Sequence, residues 1–284
     1  MSPVRPSHAA IFKRPNGVRR IALVAGHGRL PFIFADEARR DGVHVIGIAI
    51  NGLTDGELES HVDRIYWRDI TEPGKALEIF RQEKVNFVVM TGKIPKAVIF
   101  NRKFNLDKDV SEIMQKTVDS KDYTIIKAIA ARLKKEGIHV MDPTFYFSKL
   151  LPPKGLLAKR PPTKEEWEDI RFGKKTAKKI AGMDIGQAVI VKKKMVIAVE
   201  AHEGTDEMIR RTGQLDGEGA VVIKVSRPHQ DMRFDIPTIG PETVDSLIVV
   251  KAKVLAVEAK KTLVVDKDEI IKKADPAGIS VVAI

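Results

Sequence analysis

The chain is predicted to adopt an α/β fold, with a parallel-sheet N-terminal half and a mixed α/β C-terminal half. Three observations predict it. Over residues 21–90, apolar runs of strand length alternate with amphipathic stretches of helix length, the β-α-β-α-β rhythm of a parallel sheet covered by helices. Val43–Ile50 alternates little and is rich in branched residues, as a strand buried on both faces is. Beyond residue 163, apolar runs are joined by short lysine-containing turns, which points to antiparallel pieces.

The elements follow in order. Residues 21–25 form the first strand and end in Gly26-His27-Gly28-Arg29-Leu30-Pro31. A helix over Phe32–Asp41 is closed by Gly42. After Val43–Ile50, Arg64–Trp67 forms a short strand. A helix over Glu72–Glu83 leads into the strand Val85–Met90. Residues 110–118 and 122–136 read as helices. In the second, Ile125, Ile126, Ile129 and Leu133 recur at helical spacing, and Ile138–Met141 forms one more strand. Pro152, Pro153, Gly155, Pro161 and Pro162 crowd the next stretch, so the interdomain connection is expected there. Thr163 and Glu166 have capping-box spacing and open a helix running to about Ala181.

In the second half, Gln187–Val191 and Met195–Glu200 flank Lys192-Lys193-Lys194 and read as a hairpin with a basic tip. A helix ends near Arg211, and Ala220–Val225 is a strand. Val254–Glu258 and Thr262–Val265 around Lys260-Lys261 read as a second hairpin. Both hairpins have an apolar run ending in Ala-Val-Glu. Asp266–Ala274 forms a helix and Ile279–Ile284 the last strand. The expected boundaries are a basic extension over 1–18, an N-terminal domain over 19–148, a linker over 149–163 and a C-terminal domain over 164–284.

Composition narrows the function. With 284 residues, 43% of them hydrophobic, the chain can bury a sizeable core. It has no cysteine, which excludes disulfides, thiolate catalysis and zinc–thiolate sites. A net charge of +11 calls for an anionic partner such as a phosphorylated metabolite, nucleic acid or an anionic membrane surface. Aromatics at 6% leave little for base stacking, and no nucleic-acid-reading motif is present, so no nucleic acid is expected. No apolar run reaches the roughly 18 residues a membrane span needs, and the basic N-terminus lacks a secretory h-region. The tips at 192–194 and 260–261 fit solvated turns, and they also fit peripheral contact with an anionic membrane.

The densest chemistry lies in residues 224–240, which hold Lys224, Arg227, Arg233, Gln230, Asp231 and Asp235 between backbone-fixing Pro228, Pro237 and Gly240. Carboxylates hold divalent metals or act as bases, and Arg and Lys clamp phosphoryl oxygens, so this mix suggests chemistry at a phosphate ester. A solvated loop is the alternative. Residues 200–206 place three carboxylates, His202 and Thr205 just after a strand, with Arg210 one helical turn beyond Asp206. Thr205 or Asp206 would otherwise simply cap a helix. At the other end of the chain, Gly26 and Gly28 precede Leu30 and Pro31 at a strand-to-helix turn suited to an anion. Pro31 stands where a dinucleotide fingerprint has its third glycine, which disfavours a nicotinamide-dependent oxidoreductase. Thr91, Gly92 and Lys93 follow another strand of the same sheet, and Asp122 opens a helix as a cap or a ligand.

These motifs together resemble the LpxI-type UDP-2,3-diacylglucosamine pyrophosphatases of lipid A synthesis. The resemblance rests on Asp184-Ile-Gly-Gln-Ala, on Val199-Glu-Ala-His-Glu-Gly-Thr-Asp206, and on Gln230-Asp-Met-Arg-Phe-Asp-Ile-Pro-Thr-Ile-Gly240. The N-terminal Gly-x-Gly-x-Leu-Pro, Thr91-Gly-Lys93 and Lys261-Thr-Leu-Val-Val-Asp266 add to it, and together they span about residues 19–284. The resemblance implies a Rossmann-like N-terminal domain and a distinct α/β C-terminal domain with the lipid substrate held between them. It implies hydrolysis to UMP and 2,3-diacylglucosamine 1-phosphate (lipid X), with water attacking the sugar-side phosphorus. A divalent cation, usually Mg2+, a homodimer and a cytoplasmic location are implied with it.

The resemblance places the catalytic aspartate at Asp235, which binds the metal or orients water, with Asp206 or Asp231 as further metal ligands. Lys224 and Arg233 would then hold phosphoryl oxygens, with Thr205, Asp206, Arg210, Gln230, Thr238 and Gly240 around the substrate. Gly26, Gly28, Leu30, Pro31, Thr91, Gly92, Lys93 and Asp122 would line the far wall. His27, where a glycine is common, and the extra residues 1–18 depart from the pattern. The competing function is a non-catalytic binder of an anionic nucleotide-sugar lipid or nucleic acid, which the net charge alone would support.

Overall fold

The computed structural model describes residues 18–94 and 122–284. The helix expected over 110–118 and all but the last residue of the basic extension lie outside them. The chain divides into two compact units. The first runs up to Ser148 and includes Met232–Asp235, and the second comprises Lys149–Asp231 and Ile236–Ile284.

In the first unit, β1 (Arg20–Ala25), β2 (His44–Ile50), β3 (Arg64–Arg68), β4 (Phe87–Thr91) and β5 (His139–Val140) form one sheet in the order β3-β2-β1-β4-β5. Every pairing is parallel. The chain steps outward one way from β1 through β3 and the other way through β4 and β5. The switch point, where open α/β sheets place their ligands, therefore lies between β1 and β4. The helices α1 (Leu30–Arg40), α2 (Pro73–Gln82) and α3 (Asp122–Lys135) connect the strands. α1 starts two residues earlier than its expected Phe32, because Pro31 suits the first helical turn, where its missing N–H has no partner to lose.

One face of this sheet buries Ala22, Ile46, Val88, Leu77, Phe80 and Leu133. The same cluster contains Phe234, only 3% exposed, which comes from the distant Met232–Asp235 segment. Burying a phenylalanine so fully contributes about 2–3 kcal/mol. At the end of α2, the Glu83 carboxylate accepts from Arg64 Nη1 at 2.8 Å and from Tyr66 Oη at 2.6 Å.

In the second unit a six-stranded mixed sheet runs β6-β13-β11-β9-β7-β8. Its strands are β6 (Gly155–Leu156), β7 (Ala188–Lys192), β8 (Met195–Val199), β9 (Val221–Lys224), β11 (Val254–Val257) and β13 (Ser280–Ala283). Two more strands, β10 (Thr238–Ile239) and β12 (Leu263–Val264), pair with each other in parallel. One sheet face is covered by α4 (Lys164–Gly182) through Ile170, Ala177 and Ala181. The other is covered by α5 (Thr205–Arg211), α6 (Pro241–Val249) and α7 (Lys267–Ala274) through Met208, Leu247 and Ile270. α4 begins with the expected capping box, in which Thr163 Oγ1 accepts from Glu166 N and the Glu166 carboxylate accepts from Thr163 N.

The β7–β8 hairpin forms as expected, with Lys193 and Lys194 both left-handed at φ 51° and 59°. The second hairpin does not form. β11 pairs in parallel with both β9 and β13, and β12 leaves to pair with β10. The physical reason is burial: Val254–Val257 is buried along its whole length and so takes a central place between parallel neighbours. The helix α6 was not anticipated, although Gly240-Pro241-Glu242 carries a helix-start pattern.

Candidate functional site

In the first unit, the loops after β1 and β4 meet backbone to backbone at the switch point. Gly26 N donates to Thr91 O at 2.8 Å, His27 N to Lys93 O at 2.9 Å, and Lys93 N to His27 O at 2.8 Å. Gly26 and Gly92 touch so closely that a Cβ on Gly92 would stand 2.7 Å from the carbonyl carbon of Gly26. Gly92 also has φ +92°, which side chains rarely adopt. The two glycine motifs thus join one structure, with the exposed side chains of His27, Arg29 and Lys93 around it. The amides of Gly26 and His27 are committed to this junction. An anion there would meet Gly28 (φ +100°), Arg29 and Lys93 instead. Leu30 and Pro31 form the first turn of α1, and Asp122 is the first residue of α3.

In the second unit, β8, β9, β11 and β13 run in one direction, so their C-terminal ends share an edge. Three charged residues sit at those ends: Glu200 after β8, Lys224 closing β9 and Glu258 after β11. The Lys224 ammonium donates to Thr205 Oγ1 at 2.8 Å and to Thr238 O at 2.7 Å. Thr205 Oγ1 donates in turn to Glu200 Oε1 at 2.7 Å, and Glu200 Oε2 accepts from Gln187 N at 2.9 Å. A lysine ammonium has three donors. Among the described residues two are taken by this network, and the third is available to an oxygen of a ligand. Beside it, Asp206 Oδ1 accepts from Thr243 Oγ1 of α6 at 2.9 Å.

The structure thus brings Thr205, Lys224 and Thr238 into direct contact and ties Asp206 to α6, whose N-cap is Gly240. It does not bring Arg210 to them, since that guanidinium is paired with Glu207 on its own helix. Gln230 folds back on the loop backbone, accepting from Arg227 N at 3.3 Å and donating to Asp231 O at 3.4 Å. The Arg233 guanidinium carbon stands 5.0 Å from the ring centre of Phe234, so the buried ring carries the cation. Asp235 is exposed and left-handed, with φ 48°. It precedes Thr238 by three residues, a span of at most about 11 Å of chain.

Sequence reasoning left Glu200 and Glu258 without roles. Glu258 Oε2 accepts from Lys178 Nζ at 2.6 Å and from Ser226 N and Oγ, each at 2.8 Å. Burial alone would raise this carboxyl, but the hydrogen bonds from Lys178 and Ser226 hold it below the usual carboxylate range. Arg227 Nε is bound to Asp184 Oδ1 at 2.7 Å. Together these contacts fix the start of the 226–240 loop. The available signal was the shared Ala-Val-Glu ending at residues 200 and 258, because a polar residue at a strand's carboxyl end faces the ligand edge.

For a metal the test is whether ligands converge. Among the described residues no three acidic or histidine side chains gather as a ligand set. Magnesium asks less of a protein than a full cage, since it is usually held by one or two carboxylates together with substrate phosphates.

The LpxI N-terminal domain family matches residues 20–150 and the LpxI C-terminal domain family matches residues 153–282. The UDP-2,3-diacylglucosamine pyrophosphatase LpxI of Caulobacter vibrioides is 28% identical over 279 residues, covering 94% of this chain and 98% of that one. Among solved structures, the biotin carboxylase domain of Hydrogenobacter thermophilus 2-oxoglutarate carboxylase matches at 11% identity and a TM-score of 0.26, over 72% of this chain and 37% of that one. Phosphoribosylglycinamide synthetase from Anaerococcus prevotii matches at 11% identity and a TM-score of 0.28, over 72% and 44%. The chain spans less than half the length of either structure, and TM-scores this low carry no argument. With both domains matched in order along its length, this chain belongs to the LpxI family.

Proposed function

We propose that this chain hydrolyses the pyrophosphate of UDP-2,3-diacylglucosamine to UMP and 2,3-diacylglucosamine 1-phosphate in lipid A synthesis. The observation that carries the reading is the ordered match of both LpxI domains over residues 20–150 and 153–282. The Caulobacter relative, matched end to end, bears the name of this activity.

The chemistry of the second unit supports it. A pyrophosphate diester is anionic, and cleavage develops further negative charge on the departing phosphate, so fixed cations aimed at that charge speed the reaction. Lys224 meets this need, held by Thr205 and Thr238 with a donor to spare. Arg233, set against Phe234, supplies a second cation. Asp235 orients the attacking water or holds the metal, with Asp206 or Asp231 as further ligands. Mg2+, when bound, would neutralise phosphoryl oxygens. Gly28 and Lys93 at the switch point bind the nucleotide side, and water attacks the sugar-side phosphorus. A cytoplasmic homodimer in peripheral contact with the inner membrane completes the reading. No helix among the described residues is long and apolar enough to cross a membrane.

The test is a product assay on the purified chain with UDP-2,3-diacylglucosamine. UMP release that needs magnesium and stops with chelator is expected. Tight binding without breakdown of the nucleotide would make the chain a binder instead.

A further inference from the structure

We propose that the solvent face of α4, together with the β7–β8 turn, is a docking surface for an anionic lipid bilayer. The surface lies wholly within the second unit. Only its biological purpose rests on the reading of the substrate as a lipid.

The solvent face of α4 carries Arg171, Phe172, Lys175 and Lys179 at helical spacing, with Met183 at the C-cap, all exposed. Phe172 is 36% and Met183 57% exposed. The two are separated by about 16 Å of helix axis, with two cations between them. Lys178, on the same helix, is instead turned inward onto Glu258. The apolar stripe of α4 is spent on its own sheet, so this outer face would meet a membrane through its cations, which negative headgroups attract by about 1 kcal/mol each, with Phe172 and Met183 beside them.

The neighbouring turn extends the pattern. Asp169, within α4, accepts from Lys193 N at 2.8 Å and Lys194 N at 2.6 Å, which bolts the turn to the helix. Met195 follows directly and is 69% exposed. Both turn lysines are left-handed, a conformation that glycine or asparagine adopts at far lower cost. The fold therefore tolerates strain to keep two lysines beside this face, with Asp169 capturing the amides that the strained turn presents. The nearby carboxylate Glu168 is paired with Lys194 at 3.1 Å. A bilayer bearing negative headgroups supplies what this surface lacks: counter-charge for the cations and an apolar boundary for Phe172, Met183 and Met195.

The experiment is flotation of the full chain with vesicles of phosphatidylcholine alone or with an equal part of phosphatidylglycerol. Binding to the anionic vesicles only is expected, weakening with salt. Each basic residue contributes about fivefold to such partitioning, so the triple variant Arg171→Gln/Lys175→Gln/Lys179→Gln should bind about a hundredfold more weakly. It should keep its melting temperature and its turnover of detergent-dispersed substrate. The variant Lys193→Asn/Lys194→Gly should melt higher, since it relieves the turn, yet bind anionic vesicles about 25-fold more weakly. Equal binding to both vesicle types overturns the proposal, as does undiminished binding by the triple variant. Indifference to vesicles with retention by an RNA oligonucleotide, or conversion of a dimer to monomer by the triple variant with vesicle binding intact, also overturns it. Loss of turnover with vesicle binding intact would count against the hydrolase reading alone.

Discussion

Lys224 Nζ lies 2.8 Å from Thr205 Oγ1, joining the end of β9 to the first residue of α5. The threonine passes the connection on to Glu200, so a cation at one strand end is oriented by a carboxylate at another without touching it. The arrangement keeps the ammonium fixed while leaving a donor for a ligand.

Replacing Thr205 by valine should therefore disorder Lys224 without unfolding the sheet. We expect kcat to fall about 10²-fold, the scale of a misplaced charged group. KM should change less, and serine at this position should restore most activity. Steady-state kinetics on UDP-2,3-diacylglucosamine would decide, and unchanged kcat in the valine variant would remove Thr205 from the machinery.

Asp235 combines an exposed carboxylate with a left-handed backbone. Asparagine tolerates that backbone and removes only the charge. Asp235→Asn should keep its melting temperature while turnover drops about 10²–10⁴-fold. Asp235→Ala should lose the same activity and about 1 kcal/mol of stability besides, from the left-handed strain.

A methyl group at residue 92 has no room, since Cβ would stand 2.7 Å from the Gly26 backbone at a φ of +92°. Gly92→Ala should cost about 3 kcal/mol or more, from overpacking and strain together. Thermal unfolding would show it as a lower transition. An unshifted transition would mean that the two loops part easily.

Glu83 is held below its ordinary value of 4.5, first by the Tyr66 hydroxyl and, against the opposing effect of burial, by Arg64 and Arg20. A carboxyl depressed in the folded state stabilises it fully above the unfolded value. That stability is lost as pH falls through the lower folded value. Glu83→Gln should cost about 1–2 kcal/mol at neutral pH, because the partner arginines are largely solvated. The difference from the wild type should vanish in strong acid. Denaturant midpoints measured across the acid range would test this, and a difference that persists in acid would reject it.

Hydrolysis in heavy-oxygen water should place the label in 2,3-diacylglucosamine 1-phosphate, as attack at the sugar-side phosphorus requires. Mass spectrometry reads this directly, and label in UMP would move the attack to the other phosphorus.

The parallel sheet of the first unit was legible because uninterrupted branched runs such as Val43–Ile50 fit a strand buried on both faces. A different rule, two apolar runs joined by a short turn at Lys260-Lys261, made Val254–Val265 a hairpin. The partners β9 and β13 of the first run lie apart along the chain, and periodicity carries no record of partners. Residues 200–206 and 224–240 were legible as chemistry through their crowded charge. That Lys224 binds Thr205 while Arg210 stays with Glu207 on its own helix was not, because residue type does not say which nearby partner a cation takes. The roles of Glu200 and Glu258 depended on strand direction, which residue type does not encode.

The burial of Phe234 has a practical consequence for anyone who would dissect this protein. Its four-residue segment completes the hydrophobic interior of a unit whose remaining described residues all precede Lys149. A gene truncated at that boundary would encode a fragment missing one aromatic plug, and the complementary fragment would bear that plug with no socket. The smallest piece able to refold whole is therefore longer than either half.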